Sequence, residues 1–371
     1  MHCMQMQNRI SFGRWEATAL LINLICTKLF LFFTRMTVED AGNAGWIMTI
    51  YISLLAFVMF AVLLKLLKRF EGKDLLDIAE YAGGKWLKII AGLVVSAILF
   101  YLTVMVLREF TEEMKVVSLP FSPLSYVMMF FLSGIIIGSF LGMEAIVRFH
   151  AIIVPVITAG YIAILIGVIP RMDFTNLLPI FGTGPNNIFG KGFFKVSVFG
   201  ELFILFLLPP FLKNYKNVRS TGYVTIAVSA VLLTAGSLFY ILTFQYPFNT
   251  EPFLPIYQMA RLINLGRFFE RIESIFVFIW AMAAFLYLSA TFYLLVYVFS
   301  KAAGLKYLRP LILPFAVLVF SATFIPQNLV TVIKSQTVFY SSIAWLMTFV
   351  FSGLILAIAF IKERRKERGK A

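Results

Sequence analysis

The sequence predicts an all-α integral membrane protein of about ten spanning helices, and three observations carry that reading. Hydrophobic residues make up 61% of the 371-residue chain and charged residues 13%, with a mean hydropathy of +0.91. Soluble domains are roughly 45–50% apolar and 25% charged. The apolar excess runs the whole length, with Phe alone occurring 41 times, so it is not confined to one anchor. Ten segments, moreover, reach the roughly 20 mostly apolar residues that a helix needs to cross a hydrocarbon core of about 30 Å. A single transmembrane domain over residues 1–371 is expected, with no soluble domain.

In order, the predicted spans are Trp15–Thr34, Ile47–Leu67, Leu87–Leu107, Leu124–Leu141, Ala151–Ile169, Phe194–Leu212, Val218–Phe244, Ile275–Phe299, Leu308–Ile325 and Val338–Ile361. Orientation follows from the basic residues, which favour cytoplasmic loops. With both termini cytoplasmic, the larger share of the 32 Lys and Arg falls inside, including a basic tail over 362–371. Two long segments fall outside, Arg171–Phe193 and Gln245–Ser274, and the second has the Pro-rich start of a structured lid.

Ten spans divide five plus five, and an odd number per half makes the second half enter the bilayer inverted, as in inverted-repeat transporters. The first repeat would cover about 10–170 and the second about 193–362. This division rests on counting, because the halves show no evident likeness in sequence.

The net charge of +14 does not point to nucleic acid, since the basic residues sit in short clusters that flank the spans. The polar start from Met1 to Arg14 lacks the apolar stretch of a removable signal peptide, so the first span is expected to stay in the chain. Cys3 and Cys26 support no disulfide framework, and with only His2 and His150 besides, no metal site is expected. No phosphate loop, paired catalytic carboxylates or nucleophile elbow occurs. Neither an enzyme nor a cofactor is therefore expected, and no catalytic residue is assigned.

Ionisable groups inside a span cost at least about 2.5–3.5 kcal/mol on insertion scales, which makes each a candidate functional residue. Two stand out, Lys28 in the first span and Glu201 in the sixth. At 1.5 Å per residue, Lys28 lies about 9 Å below the outer boundary and Glu201 about 10–11 Å below it, so the two can share a level. They can form a binding or ion-coupling site, or a purely structural ion pair; alternatively, Lys28 snorkels to the outer headgroups. Gly200 precedes the carboxylate and Pro209-Pro210 ends the span, which favours a bend and freed backbone groups there. A helix half that starts at such a break can aim its positive end at an anionic ligand group.

Gly134, Gly138 and Gly142 recur at four-residue spacing in the fourth span, a pattern for close helix packing. Just after them, Glu144 and Arg148 are placed to pair along one helix face, in an elbow with either a structural or a gating role. Pro155 predicts a kink in the fifth span.

These features in this order resemble a known family across essentially the whole chain. They are the polar start before Ile10 and Ser11; Ala44-Gly45-Trp46; Leu119-Pro120 with Pro123; Gly142-Met143-Glu144 through Arg148, then Pro155; Leu178-Pro179; Phe199-Gly200-Glu201-Leu202, then Pro209; and the basic tail. The sequence is similar to the B subunits of nutrient germinant receptors of endospore-forming bacteria, a branch of the amino acid/polyamine/organocation superfamily.

That resemblance implies a LeuT-like fold with spans one and six interrupted at a central site for a small nutrient, often an amino acid. The site residues would be Cys26, Thr27 and Lys28 with Phe199, Gly200 and Glu201. Gly142, Glu144, Arg148, Pro155 and Pro209 would serve structure or gating. It also implies a membrane A subunit and a lipoprotein C subunit as partners, in the spore inner membrane. The sequence departs from the superfamily in having no Gly between Gly13 and Gly42, where relatives break span one. Either Thr27 and Lys28 sustain a different break or the span is continuous. The rival function is a free-standing, proton-coupled amino acid transporter, in which Glu201 protonates and Lys28 replaces a bound sodium ion.

Overall fold

A computed structural model describes residues 11–212, 214–250, 254–263 and 273–368. His2, Cys3, the end of the basic tail and much of the predicted outer lid lie outside the described residues. Within them the chain is helical, with no strand. Seven stretches are long and apolar enough to cross a bilayer: Phe33–Phe70, Leu75–Val117, Leu124–Leu141, Met143–Arg171, Tyr215–Thr243, Glu273–Ala302 and Leu329–Arg368. The predicted first, sixth and ninth spans are shorter elements, Arg14–Phe30, Val196–Leu207 and Arg309–Ala322.

We label the principal helices α1 (Arg14–Phe30), α2 (Phe33–Ala41), α3 (Gly45–Leu67), α4 (Leu75–Val117), α5 (Leu124–Leu141), α6 (Met143–Val168), α7 (Tyr215–Thr243), α8 (Glu273–Ala302), α9 (Arg309–Ala322), α10 (Leu329–Val338) and α11 (Ser352–Arg368). α8 is the most enclosed of the long helices and packs against α4, α6 and α1. α1 in turn lies against α6, α7 and the Val196–Leu207 segment, so the polar elements sit at the centre of the bundle.

The outer surface is apolar where a soluble protein would be charged. Phe130, Ile137 and Ile166 are each 60% exposed or more, while Lys28, Glu109, Glu113 and Glu201 are buried. This distribution suits a lipid solvent, in which apolar side chains face out and ionisable groups face the bundle interior.

Two boundaries differ from the sequence expectation. α4 starts at Leu75, capped by Asp74, bends at Gly84 and continues to Val117, well past the predicted end at Leu107. The charges from Arg108 to Glu113, expected in an outer loop, therefore lie on a helix. α6 starts at Met143, eight residues before the predicted start, and runs through Pro155 as one helical element, with Pro155 on its exposed side.

Candidate functional site

Span one is broken, and the break needs no glycine. α1 ends at Phe30, Leu31 takes φ −103° and ψ −96°, and α2 starts at Phe33. The Leu31 amide turns back to the Lys28 carbonyl at 3.2 Å. Lys28 thus occupies the last turn of α1, where the negative end of the helix dipole favours a cation. The sixth span is interrupted differently. Val196–Leu207 is wound as a 3-10 helix, with Phe199 out of helical geometry at φ −90° and ψ 18°.

Both interruptions meet in one ion pair. The Lys28 ammonium donates to Glu201 Oε2, with the two side chains 2% and 1% exposed. The other carboxylate oxygen accepts from Tyr340 Oη at 2.5 Å and Tyr287 Oη at 3.3 Å. A buried ion is tolerable only when paired and hydrogen-bonded, and Glu201 has three donors. Lys28 also stands 4.6 Å from the centre of the Tyr340 ring, a cation–π contact.

Tyr340 is placed by a second irregularity. Between α10 and α11 the last span is wound as π-helix over Phe339–Ile343 and Leu346–Phe351. π winding is rare and occurs mostly as single-turn bulges, and two hydrogen bonds tie this stretch to the tightened sixth span. The Trp345 amide donates to Ser197 Oγ at 3.0 Å, and the Thr348 hydroxyl donates to the Gly200 carbonyl. Gly200 permits this approach, since a Cβ there would come within 2.8 Å of Ala344 Cβ.

The six residues expected at the site separate into two groups. Lys28, Gly200 and Glu201 come together, and Phe199 is fully buried beside them at the break. Cys26 and Thr27 instead line a cavity of about 20 Å³ with Asn23 and Tyr161. There Thr27 bonds back to the Asn23 carbonyl at 2.7 Å, and Asn23 donates to the Ala283 carbonyl at 3.1 Å.

The space beside Gly200, Glu201 and Tyr340 is only about 10 Å³, the room of one water. A larger cavity of about 320 Å³ lies next to it, lined by Phe32, Arg35, Met36, Glu39, Ile333 and Lys334 among others. Phe32 stands between the two, with its ring 5.2 Å from that of Tyr340. The central node is closed, and the open volume is a vestibule beside it, across Phe32.

None of the five residues expected to serve structure or gating lines these cavities. Gly142 joins α5 to α6 at φ +93°, a left-handed conformation that a side chain would strain. Glu144 and Arg148 pair on an exposed face of α6. Pro209 opens a further 3-10 turn, Pro209–Phe211, after the sixth span. Sequence reasoning missed Tyr287 and Tyr340, because a tyrosine in an apolar run carries no signal of its own.

The profile of the family described as "Spore germination protein" matches residues 14–332. Spore germination protein B2 of Bacillus subtilis (strain 168) is 22% identical over 209 residues, covering 56% of this chain. The match spans 55% of that relative, about half its length. Among solved structures, a Na⁺-coupled sialic acid symporter in a substrate-bound outward-open state aligns at a TM-score of 0.65 and 13% identity, over 94% of this chain and 88% of its own. Mhp1, a nucleobase-cation-symport-1 family transporter, in a closed conformation with bromovinylhydantoin bound, aligns at 0.67 and 10%, over 96% and 80%. At these identities the likeness speaks for the fold alone, which is LeuT-like. With the family profile matching most of its length, the chain belongs to the spore germination protein family.

Proposed function

We propose that this chain is the permease-like membrane subunit of a spore germinant receptor, which binds a small nutrient and passes the event to partner subunits. The observation that carries the reading is the node of Lys28, Glu201 and Tyr340, where three irregular spans meet beside a vestibule. An amino acid has a carboxylate and an ammonium, and the node offers one charge of each complementary sign. The vestibule adds Arg35 and Lys334 against Glu39, a balance that favours an anionic group on entry. Its 320 Å³ falls in the range of small-molecule sites, whereas the closed node holds no ligand of that size.

In this reading the ligand displaces Phe32 from Tyr340 and competes for the Lys28–Glu201 pair. A ligand shifts a conformational equilibrium only as far as its affinity differs between the two states, and an ion pair that opens to receive it supplies such a difference. The partners are a membrane A subunit and a lipoprotein C subunit, the location is the spore inner membrane, and both termini face the cytoplasm. The chain divides into inverted halves of about 10–170 and 193–362. No catalytic step is part of the role.

The test is to delete the gene and follow spore germination with single nutrients, then to complement with Lys28→Met or Glu201→Gln. The expected outcome is loss of response to at least one nutrient, not restored by either variant at normal protein abundance. An unchanged response of the deletion to every nutrient would sink the receptor role. Transporter folds as neighbours favour a second reading, free-standing proton-coupled amino acid uptake. Amino acid accumulation in proteoliposomes carrying this chain alone would select it.

A further inference from the structure

Apart from the Lys28–Glu201 node, α4 carries two carboxylates with no exposed surface, Glu109 and Glu113. Four residues apart, they share one helix face, with Cβ atoms about 5–6 Å apart. Glu109 accepts one hydrogen bond, on Oε2 from Gln336 Nε2. Its Oε1 and both oxygens of Glu113 have no hydrogen-bond partner among the described residues.

Among the described residues, no cation pairs with either carboxylate. The adjacent Arg108 is committed to Glu112 at 2.8 Å, to the Thr323 carbonyl at 3.0 Å and to the face of Phe324. Of the elements packed against α4, α8 carries the buried Tyr287, which is bonded to Glu201. Lys334 of α10 lines the vestibule instead, and Lys301 of α8 binds Asp74 at the far end of α4. α5 carries no charged residue, and α9 carries only Arg309, at its start. The basic residues of α11 lie in its last turns, and the sixth span brings Glu201, already bound to Lys28.

Removing an ionised carboxylate from water costs several kcal/mol, and a second negative charge one turn away adds to it. Such groups escape the penalty by taking up a proton. We propose that Glu109 and Glu113 form a proton-binding pair that is protonated in this closed arrangement, and that its occupancy is linked to the Lys28–Glu201 node. The link is one helical turn: Gln336 bonds Glu109, and Tyr340, four residues on, bonds Glu201. It crosses the point where α10 gives way to π winding, a junction able to change register. Loss of the proton turns Glu109 into a stronger acceptor for Gln336 and draws water to both carboxylates. The pull is transmitted to Tyr340. This link, but not the pair, rests on the node's proposed ligand role.

The experiment is infrared spectroscopy of the full-length protein in lipid nanodiscs, titrated with pH. A carboxylic-acid C=O band is expected at neutral pH and is lost on alkaline titration. Glu109→Gln and Glu113→Gln each reduce it, and the double variant removes it. Tyr340→Phe moves the titration midpoint by about one pH unit, a tenfold change in proton affinity. Absence of the band in the unaltered protein at neutral pH overturns the proposal, as does a band that survives in the double variant. Loss of the band on adding sodium or potassium chloride at fixed pH makes the pair a cation site and overturns it too. The salt and pH arms need only the unaltered protein, so absence of the band, or its loss on adding salt, overturns the proposal even if the variants do not fold. An unmoved midpoint in Tyr340→Phe removes the link and leaves the pair, whereas the nutrient reading stands or falls separately on the germination assay.

Discussion

The Tyr340 hydroxyl donates to Glu201 Oε1 at 2.5 Å while its ring lies 4.6 Å from the Lys28 ammonium. One side chain of the last span therefore touches both partners of the ion pair between spans one and six. A movement of the π-wound segment cannot leave that pair unchanged, and the pair cannot open without releasing Tyr340.

Tyr340→Phe keeps the ring and removes the donor. A hydrogen bond to a charged group is worth about 1.5–3 kcal/mol, which bounds the expected loss of stability. Because Tyr287 and Lys28 still serve Glu201, the protein should remain folded, with a lower melting temperature and an altered nutrient threshold for germination. An unshifted melting temperature together with an unshifted threshold would mean that the contact has no energetic role.

Lys28→Met alone leaves a buried carboxylate without its cation, a defect that typically costs about 3–5 kcal/mol. Replacing both partners by neutral groups of similar shape is often nearly neutral. The Lys28→Met/Glu201→Gln double variant should therefore melt above either single variant and still fail to respond to nutrient. Additive losses in the double variant would show that the two residues are not energetically coupled.

Much of this was legible in the sequence, for identifiable reasons. Lys28 and Glu201 were visible because an ionisable group in an apolar run is conspicuous, and counting residues placed them at one depth. Their joint contact with Tyr340 was not, since it depends on π winding that pattern reasoning does not anticipate. The break after Lys28 was uncertain because glycine was the expected signal, yet Leu31 makes the turn at negative φ. Glu109 and Glu113 fall beyond the predicted third span because the apolar run stops near Leu107, while the helix continues inside the protein. Tertiary packing, not local hydropathy, buries those two carboxylates.

Gly200 tests the fit between spans six and ten. A methyl group there meets Ala344 Cβ at 2.8 Å, so one backbone must shift. Overpacking of this kind costs about 1–3 kcal/mol. Gly200→Ala should lower thermal stability, and adding Ala344→Gly should recover most of the loss by giving back the volume. Failure of the second substitution to help would mean that the Ala344 backbone, which lies 3.5 Å from the same point, and not its methyl group limits the approach.

At the other end of α4, Asp74 supplies a pH test that is independent of the node. It caps α4 by accepting from the amides of Leu76 and Asp77, and it receives Lys301 of α8 at 2.5 Å. Burial raises its pKa from 3.8 to about 6, with nearby Asp77 adding to the rise and Lys301 opposing it. The folded protein therefore binds this proton more tightly than the unfolded chain. The associated stability is fully present below about pH 3.8 and is lost as pH rises through about 6. Asp74→Asn keeps a side-chain oxygen for the cap and leaves Lys301 with Asp77, which it reaches at 2.8 Å. Between pH 4 and 6, the melting temperature of the unaltered protein should carry a downward contribution that the variant lacks. Parallel curves for the two proteins across that window would rule out titration of Asp74 there.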